Sequence, residues 1–210
     1  MDERKEFLIK VYEQMFNDID RHYKFIWQIV GLLIGSLAFI ALSEKGIVPI
    51  DLTVSVIIIL SLWVIANVYD SNYWYNRNLA IISNIERQFL LTDDQRNIHY
   101  YFGKHRSENA IQTSLKIQII LVYGIVLIFL AYHFIIRIIP AFKIPISDAN
   151  FDWIRILPYL VTVIFYFIFV SWIKCKRKKD YSSFLKNSPG ISIDNTGIDY
   201  GDGYPVNKEQ

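Results

Sequence analysis

Hydrophobic and polar positions alternate between two patterns along this chain. Four stretches, residues 25–43, 52–68, 117–136 and 156–173, are apolar and contain no Lys, Arg, Asp or Glu. Each is 17 to 20 residues long, close to the roughly 20 residues an α-helix needs to cross a hydrocarbon core. Elsewhere the apolar residues recur every three or four positions. Phe7, Val11, Tyr12, Met15, Ile19 and Tyr23 form one such stripe ahead of the first run, and Leu79, Ile82, Ile85 and Phe89 form a second beyond the second run. That spacing is the signature of an amphipathic helix.

The elements follow from these patterns. An amphipathic helix over residues 1–24 leads without Gly or Pro into the first span. The second span likewise continues into polar sequence, with no Gly or Pro between Val68 and Gly103. Residues 69–116 are expected to form a helical pair. Its turn or cap lies at 92–97, and a second helix, bent near Gly103, leads through Ser107 to Lys116. The connections at 44–51 and 137–155 are too small for a folded domain. In the tail, ISID and IDY flanking NTG suit either a short β-hairpin or a disordered end. The expected fold class is an all-α membrane protein: four transmembrane helices, a cytoplasmic layer of amphipathic helices, and residues 174–210 as a basic juxtamembrane segment and tail.

Composition supports the membrane reading. The 210 residues are 53% hydrophobic with a mean hydropathy of +0.26, and four buried soluble helices of this kind would leave too little polar chain to cover them. The 24 residues before the first run carry both signs of charge and exceed a typical signal n-region, so the run reads as a permanent span although Ala41 and Ser43 resemble a cleavage site. Charge sets the orientation. Eighteen Lys and Arg lie before span one, between spans two and three, and after span four, against four in the other two connections. The positive-inside bias therefore places both termini in the cytoplasm. The net charge of +2 carries no comparable information.

Candidate chemistry is sparse. No HExxH, GxSxG, phosphate-binding loop or GxGxxG occurs. His99 and His105 are six apart, the wrong spacing for two ligands on one helical face, and the acids Asp194, Asp199 and Asp202 do not match a calcium loop. The chain is expected to be no enzyme and to use no cofactor, metal or nucleic acid. The lone Cys175 excludes an intrachain disulfide. Ionisable groups within the spans would mark an ion pathway. His133, four residues before Arg137, is the nearest approach to one, and a mid-membrane carboxylate is lacking.

Three groups of residues invite a functional reading. Gly31, Gly35 and Ala38 bring small side chains to one face of span one, where two helix backbones can approach within the chain or between subunits. In YDSNYWYNRN, residues 69–78, the aromatic rings suit a membrane-interface belt, but the asparagines do not. Asn67, Ser71, Trp74 and Asn78 share one helical face, and Asp70 and Arg77 share another, so part of this surface is expected to meet protein or water at a subunit contact or an inner vestibule. Lys174, Lys176, Arg177, Lys178 and Lys179 are expected to contact lipid headgroups.

The order of amphipathic helix, span, short turn, span and long amphipathic helix over residues 7–92, with WYNRNLAIISNIERQF at 74–89, resembles the SLATT-type small membrane proteins of bacteria. The resemblance implies a homo-oligomeric, pore-forming or membrane-perturbing effector controlled by its cytoplasmic helices, in anti-phage defence. It assigns no site residue. The alternative from the residues themselves is a non-conducting anchor or scaffold that recruits a cytosolic partner, which the scarcity of polar residues in the spans favours.

Overall fold

The computed structural model describes residues 3–86, 89, 109–142, 152–187, 199–200 and 204–205. The described residues are mostly helical, with one pair of two-residue strands. Its helices are α1 Glu3–Ser36, α2 Ala38–Glu44, α3 Ile50–Glu86, α4 Thr113–His133, α5 Ile139–Ala141, α6 Leu157–Ile164 and α7 Ser171–Asn187. π-helical turns, Phe134–Ile138 and Phe165–Val170, join α4 to α5 and α6 to α7, and a 3-10 turn, Trp153–Ile156, precedes α6. Taken end to end these make four helices long and apolar enough to cross a membrane: Glu3–Glu44, Ile50–Glu86, Thr113–Ala141 and Trp153–Asn187.

Local chemistry explains where the helices start and stop. Between α1 and α2 the helix tightens at Leu37, whose N–H donates to Ile34 O at 3.1 Å. α2 ends in a Schellman arrangement: Ile47 N–H reaches Leu42 O at 3.0 Å and Gly46 N–H reaches Ser43 O at 2.9 Å. Gly46 takes φ +69° there, a left-handed conformation that a side chain would strain. Pro49 then leads into α3, and Asp51 occupies its first turn, where the helix dipole favours a negative charge. Asp152 opens the 3-10 turn by accepting from Ile154 N–H at 3.2 Å, and Pro158 sits in the first turn of α6, where its missing N–H is not needed.

The chain divides into two compact units, residues 1–24, 71–110 and 176–210 in one, and residues 25–70 and 111–175 in the other. In the second unit the middle of α3 forms the core. Val54, Ile57, Ile58, Leu62, Val64 and Ile65 are fully buried, and 61% of the apolar window of that helix is enclosed, against 28%, 22% and 11% for the other three. The outer faces of α4 and α6, including Ile120, Leu127, Ile128, Leu160 and Val163, remain exposed. Such apolar faces are at ease in lipid and not in water.

In the first unit the two amphipathic stripes meet. Ile19 of α1 packs with Leu79 and Ile82 of α3, and Tyr12, Met15, Phe16, Tyr23 and Tyr75 close around them. Phe7, at the start of the first stripe, is exposed.

One expectation for residues 69–116 needs correction. Residues 109–112 lie outside any helix, and α4 begins only at Thr113, after Gln112 in extended conformation. The side-chain carbonyl of Asn109 and the main-chain carbonyl of Ala110 are both engaged by asparagines of α3. This non-helical anchoring outweighs the helix-compatible sequence. The expected turn at 92–97, the bend near Gly103 and the NTG hairpin all lie outside the described residues. The strand pair that is described sits further along: Asp199–Tyr200 runs antiparallel to Tyr204–Pro205.

Candidate functional site

Two polar constellations stand out, one in each unit. In the second unit, Asp51 of α3 and His133 at the end of α4 are both buried, the His133 side chain completely. His133 Nε2 lies 2.8 Å from Asp51 Oδ1. Arg137, one turn further on, donates from Nε to Asp51 Oδ1 at 3.1 Å and from Nη2 to Asp51 Oδ2 at 2.8 Å, a two-pronged fit of guanidinium to carboxylate. The same Nη2 reaches Asp152 Oδ2 at 2.9 Å, and Arg155 Nε approaches that oxygen at 3.4 Å. Tyr159 OH lies 3.2 Å from His133 Nδ1 and 3.4 Å from Leu130 O.

An ionised carboxylate only accepts, so the contact with Asp51 needs a proton on His133 Nε2. The π-helical turn starting at Phe134 widens the helix between His133 and Arg137. Both side chains of an i, i+4 pair thereby address one carboxylate. The arrangement joins α3, α4 and α6, and it consumes two of the four cations on the charge-poor side of the sequence.

The sequence pointed to only half of this. His133 and Arg137 are legible as a pair, whereas Asp51 is 82 residues from His133 and reads as part of a connection. Unmatched Asp51 and Asp152 flanking apolar runs were the available signal.

The polar stretch after the second run builds the other constellation, in the first unit. Asn72 Nδ2 and Asn76 Nδ2 donate to Asn109 Oδ1 at 3.0 and 2.8 Å. Asn76 Nδ2 also reaches Ala110 O at 3.1 Å. These asparagines splice the chain before α4 onto α3, and neither was singled out from the sequence. Arg77 lies between two rings, 5.2 Å from the centroid of Trp74 and 5.5 Å from that of Phe184. Trp74 stacks on His22 at 6.0 Å. Ser71 and Asn78 are buried, and both amide atoms of Asn78 have no hydrogen-bond partner among the described residues. Asp70 is half-buried.

In the second unit Asn67 turns back on its own helix, donating to Trp63 O at 2.8 Å. The face expected from Asn67, Ser71, Trp74 and Asn78 is therefore mostly enclosed by this chain.

Gly31, Gly35 and Ala38 are exposed, and a Cβ added to either glycine would meet nothing within 4 Å. Within the basic run, Lys174 Nζ sits 5.8 Å above the Tyr69 ring. Arg177 pairs with Asp180 at 2.9 Å and lies 4.9 Å above Tyr73. Lys176, Lys178, Lys179 and Cys175 are exposed. Among the described residues no cluster of His, Cys, Asp and Glu is arranged to hold a metal ion.

No family model matches the chain, and neither a curated protein nor a solved structure matches it.

Proposed function

We propose that this chain is a multi-pass protein of the bacterial inner membrane, with both termini in the cytoplasm, that acts as a non-conducting anchor for its unit of residues 1–24, 71–110 and 176–210, which recruits a cytosolic partner. The observation that carries this reading is where the polar groups of the spans go. Ser36, Ser55, Ser61, Asn67 and Thr162 each donate to a carbonyl of their own helix, at 2.6 to 2.8 Å, and Asp51, His133 and Arg137 are spent on one another. Exposed span surface is apolar along α4 and α6. A water-filled path needs polar groups facing it, and a span surface of this kind offers lipid contact instead. Orientation rests on the Lys and Arg asymmetry. It is sharpened by Arg137 and Arg155, which face carboxylates on the charge-poor side, while Lys176, Lys178 and Lys179 are exposed on the other.

The second reading is the homo-oligomeric pore-forming effector, in anti-phage defence, that the SLATT resemblance implies. The open face at Gly31, Gly35 and Ala38 favours it, because close backbone approach between copies has room there. Release of a trapped dye from liposomes containing the purified protein separates the two. The anchor reading expects release no greater than from empty liposomes. Release that Asn67→Leu diminishes would establish the pore instead.

A further inference from the structure

The basic run of α7 is sorted by the helix that carries it. α7 holds six cations and a single acid, Asp180. Within residues 176–187 one side turns inward. Tyr181 is buried there, its ring 6.4 Å from that of Tyr73 and 6.0 Å from that of Phe184. Arg177 lies on the same side, over Tyr73 and paired with Asp180, and the Phe184 ring faces Arg77. These contacts fix which way the rest of the helix looks. Lys176, Lys179 and Lys186 recur at spacings of three and seven on the outward side, with Ser182 and Ser183 between them and Lys178 at the edge, all exposed.

The outward charge is not balanced as it is elsewhere. On α1, Lys10, Arg21 and Lys24 each meet an acid one turn away, Glu6, Asp18 and Asp20. On α7 the one acid is taken by Arg177, and Lys178, Lys179 and Lys186 pair with no carboxylate among the described residues.

Helix geometry decides what this side can meet. The fourth charge-free run ends at Ile173, and α7 continues past it to Asn187. At 1.5 Å per residue, Lys176, Lys178 and Lys179 lie about 4.5, 7.5 and 9 Å beyond Ile173, and Lys186 about 20 Å. A headgroup layer is roughly 5–8 Å deep on each face of a bilayer, and lysine bends its long stem back towards it. The first three lysines therefore reach lipid phosphates and Lys186 does not. Charge is densest in the turn nearest the span, as a membrane surface requires. An acidic protein would be matched better by cations spread along the whole exposed side.

We propose that Lys176, Lys178 and Lys179 form a contact site for the phosphates of anionic phospholipids in the cytoplasmic leaflet, where they enrich phosphatidylglycerol over neutral lipid. Arg177 is no lipid contact, because its guanidinium is turned onto Tyr73 and Asp180. It is a positioning residue for the three lysines. Each lysine near an anionic surface contributes about a fivefold gain. Phosphatidylcholine carries its own cation beside the phosphate and gains less. The proposal rests on the four-span reading and is independent of whether the anchor recruits a partner.

The test uses the full-length protein labelled with bimane at Cys175, which is exposed and the chain's one cysteine. It is reconstituted in phosphatidylcholine vesicles that contain a small fraction of either phosphatidylglycerol or phosphatidylcholine with a nitroxide near the headgroup. At about 20 mM salt the labelled phosphatidylglycerol should quench as though enriched at least about fivefold over labelled phosphatidylcholine, and most of that advantage should vanish at about 300 mM. The triple variant Lys176→Gln, Lys178→Gln, Lys179→Gln should bring the ratio to within about twofold of one. The triple variant Arg4→Gln, Lys5→Gln, Lys10→Gln removes the same charge far from the span and should leave the ratio unchanged. Should the α7 triple variant fail to insert, Lys179→Gln alone should lower the ratio about fivefold. Equal quenching by the two lipids, indifference to salt, a preference that survives the α7 substitutions, or an equal loss in the α1 variant would each overturn the proposal. So would polyglutamate that shifts the bimane emission saturably while phosphatidylglycerol is not enriched, which would give this side to an acidic protein instead. A chain that does not float with the vesicles would remove the four-span reading, and the proposal with it.

Discussion

Replacing Asp51 with asparagine removes the charge that His133 and Arg137 share. In the intact protein three short contacts converge on that carboxylate, at 2.8, 3.1 and 2.8 Å. Removing one partner of a buried ion pair costs about 3–5 kcal/mol, mainly because the surviving charge is stranded. Two features of this site reduce the figure. Arg137 keeps Asp152 at 2.9 Å and is 30% exposed, and the asparagine oxygen still accepts from His133 Nε2. A loss of about 2–3 kcal/mol remains. For a chain of this size each kcal/mol lowers the midpoint by about 2–4 °C, so the thermal midpoint in detergent, followed by tryptophan fluorescence, should drop by roughly 5–10 °C.

Arg137→Leu in the same background provides the internal control. With both charges gone nothing is stranded, so the double variant should be more stable than Asp51→Asn alone. An unchanged midpoint in Asp51→Asn, or strictly additive losses in the double variant, would refute the view that this cluster clamps α3, α4 and α6 together.

Further consequences follow from the other unit. Asn76→Ala deletes the bonds to Asn109 and Ala110 and should cost about 1–3 kcal/mol, with faster hydrogen exchange at residues 109–112 as the local readout. Arg77→Ala should lose about 1–2 kcal/mol of cation–ring attraction to Trp74 and Phe184 and shift Trp74 emission, with Arg77→Lys retaining part of both. Burial raises the Glu86 carboxyl in the folded state from its ordinary 4.5 to about 7, so the folded chain holds the extra proton between those values and stability declines as pH rises through that window. The decline amounts to at most about 3 kcal/mol, and Glu86→Gln should flatten this part of the midpoint-versus-pH curve.

What could be read from the sequence was what depends on local solvation. Charge-free runs announce helices at ease in lipid, and all four lie within the long apolar helices of the fold. The two amphipathic stripes, through Ile19 and through Leu79 and Ile82, carry their periodicity openly and pack together. The contacts that were hidden are those made by single polar residues far apart in sequence. Nothing local tells Asp51 that its partners are His133 and Arg137, or Asn76 that it will hold Asn109. Periodicity also misjudged residues 109–112, because side-chain hydrogen bonds to a neighbouring helix outweigh a helical propensity worth only tenths of a kcal/mol per residue. Arg77 was assigned to a polar face from its charge, yet its guanidinium lies on rings, an environment its flat apolar faces tolerate well.

Single-cysteine labelling addresses the membrane arrangement most directly. In a Cys175→Ser background, Lys45→Cys and Lys186→Cys place one thiol at each of two exposed positions, on opposite sides of the proposed bilayer. A membrane-impermeant maleimide applied to intact spheroplasts should label the cysteine at 45 at once and the cysteine at 186 only after permeabilisation. Labelling of both before permeabilisation, or of 186 alone, would contradict four spans with cytoplasmic ends.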